Sequence, residues 1–99
     1  MAHDSGPARE ALDAETIDAL RAALEQYAAT PSRANTLAEV LRRISKEAHE
    51  KSVLPEHLLM VVKDVWNSLP SVRGMSEPAD QVKLLQRVVT MAIKEYYAA

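Results

Sequence analysis

The stretch "KLLQRVVTMAIKEYY", residues 83–97, has the spacing of a helix but more apolar surface than one side of a small core needs. At 100° per residue, the apolar side chains of this region form two adjacent stripes. The first stripe is predicted to face the core and comprises Val82, Leu85, Val89, Ala92, Ile93 and Tyr96. The second comprises Leu84, Val88 and Met91, with Glu95 in line with it. Together with Tyr97, the apolar arc is about 240° wide. Packing against one side of a small core would leave part of this arc uncovered.

Prolines and residues typical of helix starts divide the rest of the chain into three more helices. Thr36 and Glu39 have the spacing of a capping box. Pro55 and Pro78 fit the first turn of a helix, and Pro70 fits a helix end that is followed by a loop, "PSVRGMSEP". We therefore predict helices over about 13–29, 36–51, 55–69 and 77–97.

Length and composition favour one helical domain. The chain has 99 residues, of which 47 % are hydrophobic and 26 % charged, with only two glycines. The predicted fold is all-α, a single four-helix bundle whose neighbouring helices run roughly antiparallel because their connections are short. We expect residues 1–11 to be a flexible N-terminal tail and residues 12–99 to form the bundle domain.

The sequence lacks the residues that several classes of function require. The chain has no cysteine for a disulfide, a thiolate zinc site or a thiol nucleophile, and two glycines cannot build a phosphate-binding loop. We therefore expect no enzyme, no metal and no cofactor. No apolar run reaches the ~18 residues of a membrane span, and "MAHDSGPARE" lacks the features of a signal peptide. The protein is expected to be cytoplasmic, without a membrane partner.

His49 supports an alternative function. It lies about 125° from the centre of the apolar stripe of its helix, so we expect it to be exposed. Histidine phosphotransfer domains are helical bundles of similar size that present an exposed histidine. The sequence "HEKSV" departs from their "H-x-L-K-G"-like signature, and Glu47 and Glu50 raise the electrostatic cost of a phosphohistidine. A phosphoacceptor role for His49 is thus an alternative based on geometry and not on a motif.

The turn between the second and third helices supplies a further alternative. Small and apolar residues here have the spacing of a helix-turn-helix unit, namely Ala48, Ser52, Leu58 and Val61. The third helix would then present Glu56, His57, Met60, Lys63 and Asp64 to DNA. This set holds no arginine, asparagine or glutamine to read base edges, and the net charge is −2. Nucleic acid is therefore not the expected partner.

The preferred hypothesis is a non-catalytic protein–protein interaction module that self-associates through its last helix. An apolar stripe left in water would forgo about 1.5–3 kcal/mol per side chain. The predicted partner-binding residues are Leu84, Val88, Met91, Glu95 and Tyr97. The partner is a second copy of the chain or another protein. A last helix covered on all sides by its own bundle would also explain the wide arc, but Glu95 argues against this because a carboxylate is rarely buried unpaired.

Overall fold

Four long helices and one short helix make up residues 12–99, the part of the chain that the computed structural model describes. They are α1 (Ala14–Ala29), α2 (Asn35–Glu50), α3 (Pro55–Ser68), α4 (Pro70–Arg73) and α5 (Pro78–Ala98). No strand occurs within this range, so the predicted all-α fold is confirmed, and each bound of the four long helices lies within one residue of its prediction. The predicted flexible tail, residues 1–11, lies outside the described residues.

The long helices form a closed ring of contacts in the order α1–α2–α5–α3. Each of α1 and α5 packs against both α2 and α3, and the enclosed core includes Leu20, Leu24, Leu41, Ile44, Val62 and Trp66. In this ring α2 and α5 lie with their C-terminal ends together, because His49 contacts Tyr96, whereas successive long helices run antiparallel where side-chain contacts define their direction. For example, Thr16 near the start of α1 contacts Glu47 near the end of α2. This is the arrangement of a four-helix bundle.

The first four residues of the predicted loop, 70–73, are helical, so the loop prediction is wrong for them, whereas residues 74–77 lie outside any helix. Leu69 is extended (φ −75°, ψ 134°), which ends α3, and Pro70 then takes the first position of α4. Val72 is buried in the core, and the Ser71 hydroxyl donates a hydrogen bond to the Glu25 carboxylate on α1. A helix of four residues is too short for apolar periodicity to reveal it.

The predicted capping box of α2 is also wrong. The helix begins at Asn35 with Ala34 as its N-cap, and no side chain caps it. Ala34 already has nearly helical backbone angles (φ −97°, ψ −2°). Thr36 therefore lies inside the first turn, where its hydroxyl is no longer placed to accept the free N–H groups.

A carboxylate from α2 accepts hydrogen bonds from groups at the start of α1. Asp13 is the N-cap, but its own side chain makes no capping hydrogen bond. Instead, Glu47 on α2 accepts the Asp13 N–H at Oε2 (2.6 Å) and the Thr16 hydroxyl at Oε1 (2.6 Å). The ammonium of Lys51 completes the cluster, 2.9 Å from Glu47 Oε2 and 3.0 Å from Asp13 Oδ1. Charge-assisted contacts thus join the N-terminus of α1 to the C-terminus of α2.

These contacts shift the pKa values of both Glu47 and Lys51. Burial raises the pKa of Glu47, but hydrogen bonds from Thr16, Lys51 and the Asp13 N–H outweigh it and hold the pKa below its ordinary value of 4.5. Hydrogen bonds to Glu47 and then to Asp13 raise the pKa of Lys51 above its ordinary value of 10.5. Both groups are therefore charged in the folded protein at neutral pH.

The turn from α2 to α3 is a Schellman motif with a serine in the position usually held by glycine. Ser52 has φ 59°, in the left-handed region. The Val53 N–H donates to Ala48 O (2.8 Å), and the Ser52 N–H donates to His49 O (3.3 Å). Ala48 and Val53 are both buried, as the apolar contact of this motif requires. The turn therefore fixes where α3 starts relative to the end of α2.

Replacing Ser52 by glycine is expected to stabilise the protein. Glycine relieves the strain of the left-handed backbone conformation, but it also raises the conformational entropy of the unfolded chain, which offsets part of this gain. The net increase in the free energy of unfolding is expected to be about 0.5–1 kcal/mol. Urea denaturation would measure it. Ser76→Gly, at an exposed position without positive φ, is the control and should give no gain. A Ser52→Gly variant no more stable than Ser76→Gly would show that the turn is not strained.

Glu47→Gln is expected to lower the free energy of unfolding by about 1–2 kcal/mol at pH 7. Because the folded-state pKa of Glu47 is depressed, its contribution is fully present above about pH 5 and is lost as the pH falls through the folded value. The wild type and the variant should therefore converge in stability on acidification towards pH 3. The Lys51 contribution, with its raised pKa, is lost only above the ordinary lysine pKa.

Urea denaturation between pH 7 and pH 3 would test this convergence. Glu50→Gln, on the exposed side of the same helix turn, is the matched control and should follow the wild type throughout. A constant difference between wild type and Glu47→Gln at all pH values would exclude the ionised carboxylate as the source.

Candidate interaction surface

Two residues in the last turns of α5 determine how this helix is rotated about its axis. The Tyr96 hydroxyl donates to the buried Val53 O (2.8 Å), and Tyr96 O accepts a hydrogen bond from His49 Nε2 (2.7 Å). The His49 ring also stacks on the Tyr96 ring, with centroids 4.2 Å apart. On the adjacent side of α5, Glu95 pairs with Arg42 of α2 (Nε to Oε1, 3.2 Å). Both residues are therefore held against the body of the bundle.

This rotation places the buried side of α5 between the two predicted stripes, so that it takes residues from both. Val88 is 0 % exposed, and Leu84 and Met91 pack against the core. By contrast, Val82 and Ile93, which were assigned to the core stripe, are 56 % and 40 % exposed. The stripe assignment is thus wrong for these residues, whereas Ala92 and Tyr96 of the core stripe are buried as predicted, and α5 is turned by roughly 60° from the predicted orientation.

Only one of the five predicted partner-binding residues faces outward. Tyr97 is 71 % exposed. Leu84, Val88 and Met91 contribute to the core, and the Glu95 side chain is 16 % exposed and already paired with Arg42. The basic partner that Glu95 requires is therefore in the same chain. A role for Tyr97 in partner binding stays a prediction.

The outward apolar surface of α5 is a line of four residues, which we name the α5 strip: Val82, Val89, Ile93 and Tyr97. Their spacing of seven, four and four residues places them on one side of the helix. Val89 is partly buried and joins the strip to the core side, as does its neighbour Leu85. A shallow groove follows the strip between α5 and α3, lined by Lys63, Val82, Leu85, Gln86, Val89 and Thr90.

Basic side chains border the α5 strip. Lys83, Arg87 and Lys94 are exposed on the outer side of α5, and Lys63 of α3 lies on the other side of the groove. The position of these bases is a sequence signal for the rotation of α5. A helical wheel read from its basic side places Leu85 and Ala92 opposite the bases; Ala92 is fully buried and Leu85 packs against the core, whereas Val82 and Ile93 lie closer to the bases and are exposed. The apolar side chains alone did not indicate this, because they cover too much of the wheel.

The position of His49 gives no support to phosphotransfer. The residue is exposed, as predicted, but its Nε2 contacts a backbone carbonyl, which can only accept. Nε2 therefore carries the proton in this contact and is not free to accept a phosphoryl group, which leaves the ring lone pair on Nδ1. The contact instead gives His49 a structural role, since it ties the end of α2 to the end of α5.

The outward side of α3 gives no support to DNA binding. The residues predicted to face outward, Glu56, His57, Met60, Lys63 and Asp64, are all exposed, and Asn67 and Ser68 at the end of the helix are exposed as well. Two carboxylates and one ammonium leave this side without the excess of positive charge that attracts DNA phosphates. The short turn before α3 is accounted for by the Schellman motif and the Tyr96 hydrogen bond.

Neither a metal site nor similarity to known proteins assigns a function. Within residues 12–99, no group of three or more acidic or histidine side chains could hold a metal ion. None of the helices described is long and apolar enough to cross a membrane. No family model matches the chain, and no curated protein or solved structure matches it significantly. The functional argument therefore depends on the geometry of α5.

Tyr96→Phe is expected to lower the free energy of unfolding by about 1–2 kcal/mol, because it leaves the buried Val53 carbonyl without its partner. Thermal and urea denaturation would measure the change. Tyr97→Phe removes the same hydroxyl from the neighbouring, exposed ring and should leave stability within about 0.5 kcal/mol of wild type. Equal stabilities for the two variants would show that the Tyr96 hydroxyl does not anchor α5.

Proposed function

We propose that this protein is a non-catalytic interaction module that binds a helix of another chain along the α5 strip. The observation that carries the proposal is the exposure of Val82, Ile93 and Tyr97, at 56 %, 40 % and 71 %, on one side of a single helix. Scattered exposed apolar residues are normal on a protein surface. An apolar line that continues along one helix is instead typical of a contact site.

The α5 strip is not needed to hold α5 in place. The buried side of the helix is anchored by Val88, Ala92 and Tyr96, and Glu95 adds its ion pair with Arg42. Covering the exposed part of each strip residue would contribute on the order of 1 kcal/mol. That gain is available to a binding partner and unused in the isolated chain, which supports a role in association.

The shape of the surface favours a helical ligand. Val82 and Ile93 are separated by eleven residues, or about 17 Å of helix, and Tyr97 extends the strip to about 22 Å. The adjacent groove runs between two helices, where an amphipathic helix of about 15 residues would fit. A second copy of the chain could supply such a helix, so self-association stays a prediction. The absence of cysteine fits a reducing compartment, and we place the module in the cytoplasm.

The proposal can be tested with helical ligands selected against the protein from a displayed library whose apolar and polar positions are both randomised. Val82→Glu/Ile93→Glu places two charges on the α5 strip and should weaken the selected ligands at least about tenfold, because each charge would have to be buried unpaired. Fluorescence anisotropy would measure binding, and circular dichroism would confirm that the fold is retained.

Met60→Glu is the matched control, because Met60 is a 61 % exposed apolar residue outside the strip, on α3. It should leave ligand affinity unchanged. If the selected ligands bind the Val82→Glu/Ile93→Glu variant as tightly as the wild type, the α5 strip is not the binding surface and the proposal fails.

A further inference from the structure

The exposed charges along the α5 strip are all positive. Lys83, Arg87 and Lys94 follow its outer side, and Lys63 lines the groove on the α3 side. We propose that the natural occupant of the strip is an acidic amphipathic helix of a partner protein, an inference that rests on the proposed function. Its apolar side would cover Val82, Val89 and Ile93, and its flanking carboxylates would reach the four bases.

The acidic residues of α5 balance only part of these bases. Asp80 lies in the first turn, where it complements the helix dipole, and it lines a groove with Lys83 and Arg87 that neither Lys63 nor Lys94 lines. Glu95 is turned to the other side of the helix and pairs with Arg42 of α2. On α3, Glu56 and Asp64 share the outward side with Lys63, but only Lys63 lines the groove beside Val82 and Val89. A ligand in the groove therefore meets an excess of positive charge.

A second copy of the chain is a poor electrostatic match for the same surface. An antiparallel pairing of two α5 helices about a two-fold axis near Val89 would place Lys83 of one copy opposite Lys94 of the other. A parallel pairing would place each base beside its own equivalent. Like charges across an interface oppose association, so the strip favours a different chain that carries the opposite sign.

An anionic helix also fits better than other anionic partners. Nucleic acid binding uses aromatic stacking or base-edge contacts next to the bases, whereas the α5 strip is mainly aliphatic. A membrane surface would need a larger apolar side than three or four partly recessed residues to hold the module, and the chain as a whole is negative. Apolar side chains in a line with bases on both borders match helix-in-groove recognition.

The experiment uses the strongest strip-dependent helical ligand from the library selection. Three peptides keep its apolar positions and carry glutamate, glutamine or lysine at the positions that flank them. We expect the glutamate peptide to bind about tenfold more tightly than the glutamine peptide, and the lysine peptide to bind most weakly. The difference should shrink at high salt, because these exposed ion pairs are screened.

A charge-reversal variant separates recognition from stability. Lys83→Glu/Lys94→Glu should invert the order so that the lysine peptide binds best, a change that a merely structural role for these lysines would not produce. Arg43→Glu/Lys46→Glu makes the same change in net charge on the exposed side of α2 and should keep the original order. Sedimentation of the wild type at micromolar concentrations should show a monomer.

Several outcomes would overturn the inference and leave the proposed function standing. One is equal affinity of the three peptides, all still lost in Val82→Glu/Ile93→Glu. Another is a dimer that this variant dissociates, which would make a second copy the occupant. A third is binding to vesicles of phosphatidylcholine and phosphatidylserine that the same variant abolishes. By contrast, if the peptides bind the Val82→Glu/Ile93→Glu variant as tightly as the wild type, the proposed function is overturned as well.

Discussion

The hydrogen bonds of Tyr96 determine which side of α5 is presented to solvent. Its hydroxyl is fixed on Val53 O, at the turn before α3, and its carbonyl is fixed on His49 at the end of α2. An α-helix has one rotational freedom about its axis once its position is set, and two separate partners, one at the end of α2 and one in the turn that follows it, remove this freedom. Everything else about the surface of α5 follows from this rotation, including the burial of Val88 and the exposure of Val82 and Ile93.

The partners of Tyr96 are themselves held by the local structure at the end of α2. Ser52 takes a left-handed conformation so that the Schellman motif can close, and this conformation places Val53 O where the tyrosine reaches it. In the same turns, Glu47 and Lys51 tie α2 to the start of α1. The end of α2 is therefore the junction at which α1, α3 and α5 are positioned relative to one another, which explains why so many side-chain hydrogen bonds converge there.

The extent of each long helix could be predicted from the sequence, whereas the rotation of α5 could not. Helix bounds depend on local signals such as Pro55 and Pro78, which restrict the backbone wherever they occur. The rotation depends on contacts between residues 43, 47 and 53 positions apart, and no local pattern specifies these. An apolar arc of about 240° permitted either stripe of α5 to be buried. The short α4 could not be predicted because four residues are too few to show an apolar period. The capping of α1 by Glu47 could not be predicted because it is a contact between two helices.

The ion pair between Arg42 and Glu95 influences the functional surface without belonging to it. Glu95 is the one acidic residue within the described part of α5 beyond its first turn, and pairing with Arg42 keeps its charge on the bundle side. Lys83, Arg87 and Lys94 are consequently left on the outer side, where Asp80 of the first turn is the one carboxylate of α5 beside Lys83 and Arg87. An exposed ion pair of this kind contributes at most about 1 kcal/mol to stability. Its larger consequence is electrostatic, because it separates the charges of α5 into a neutralised inner side and a basic outer side next to the apolar strip.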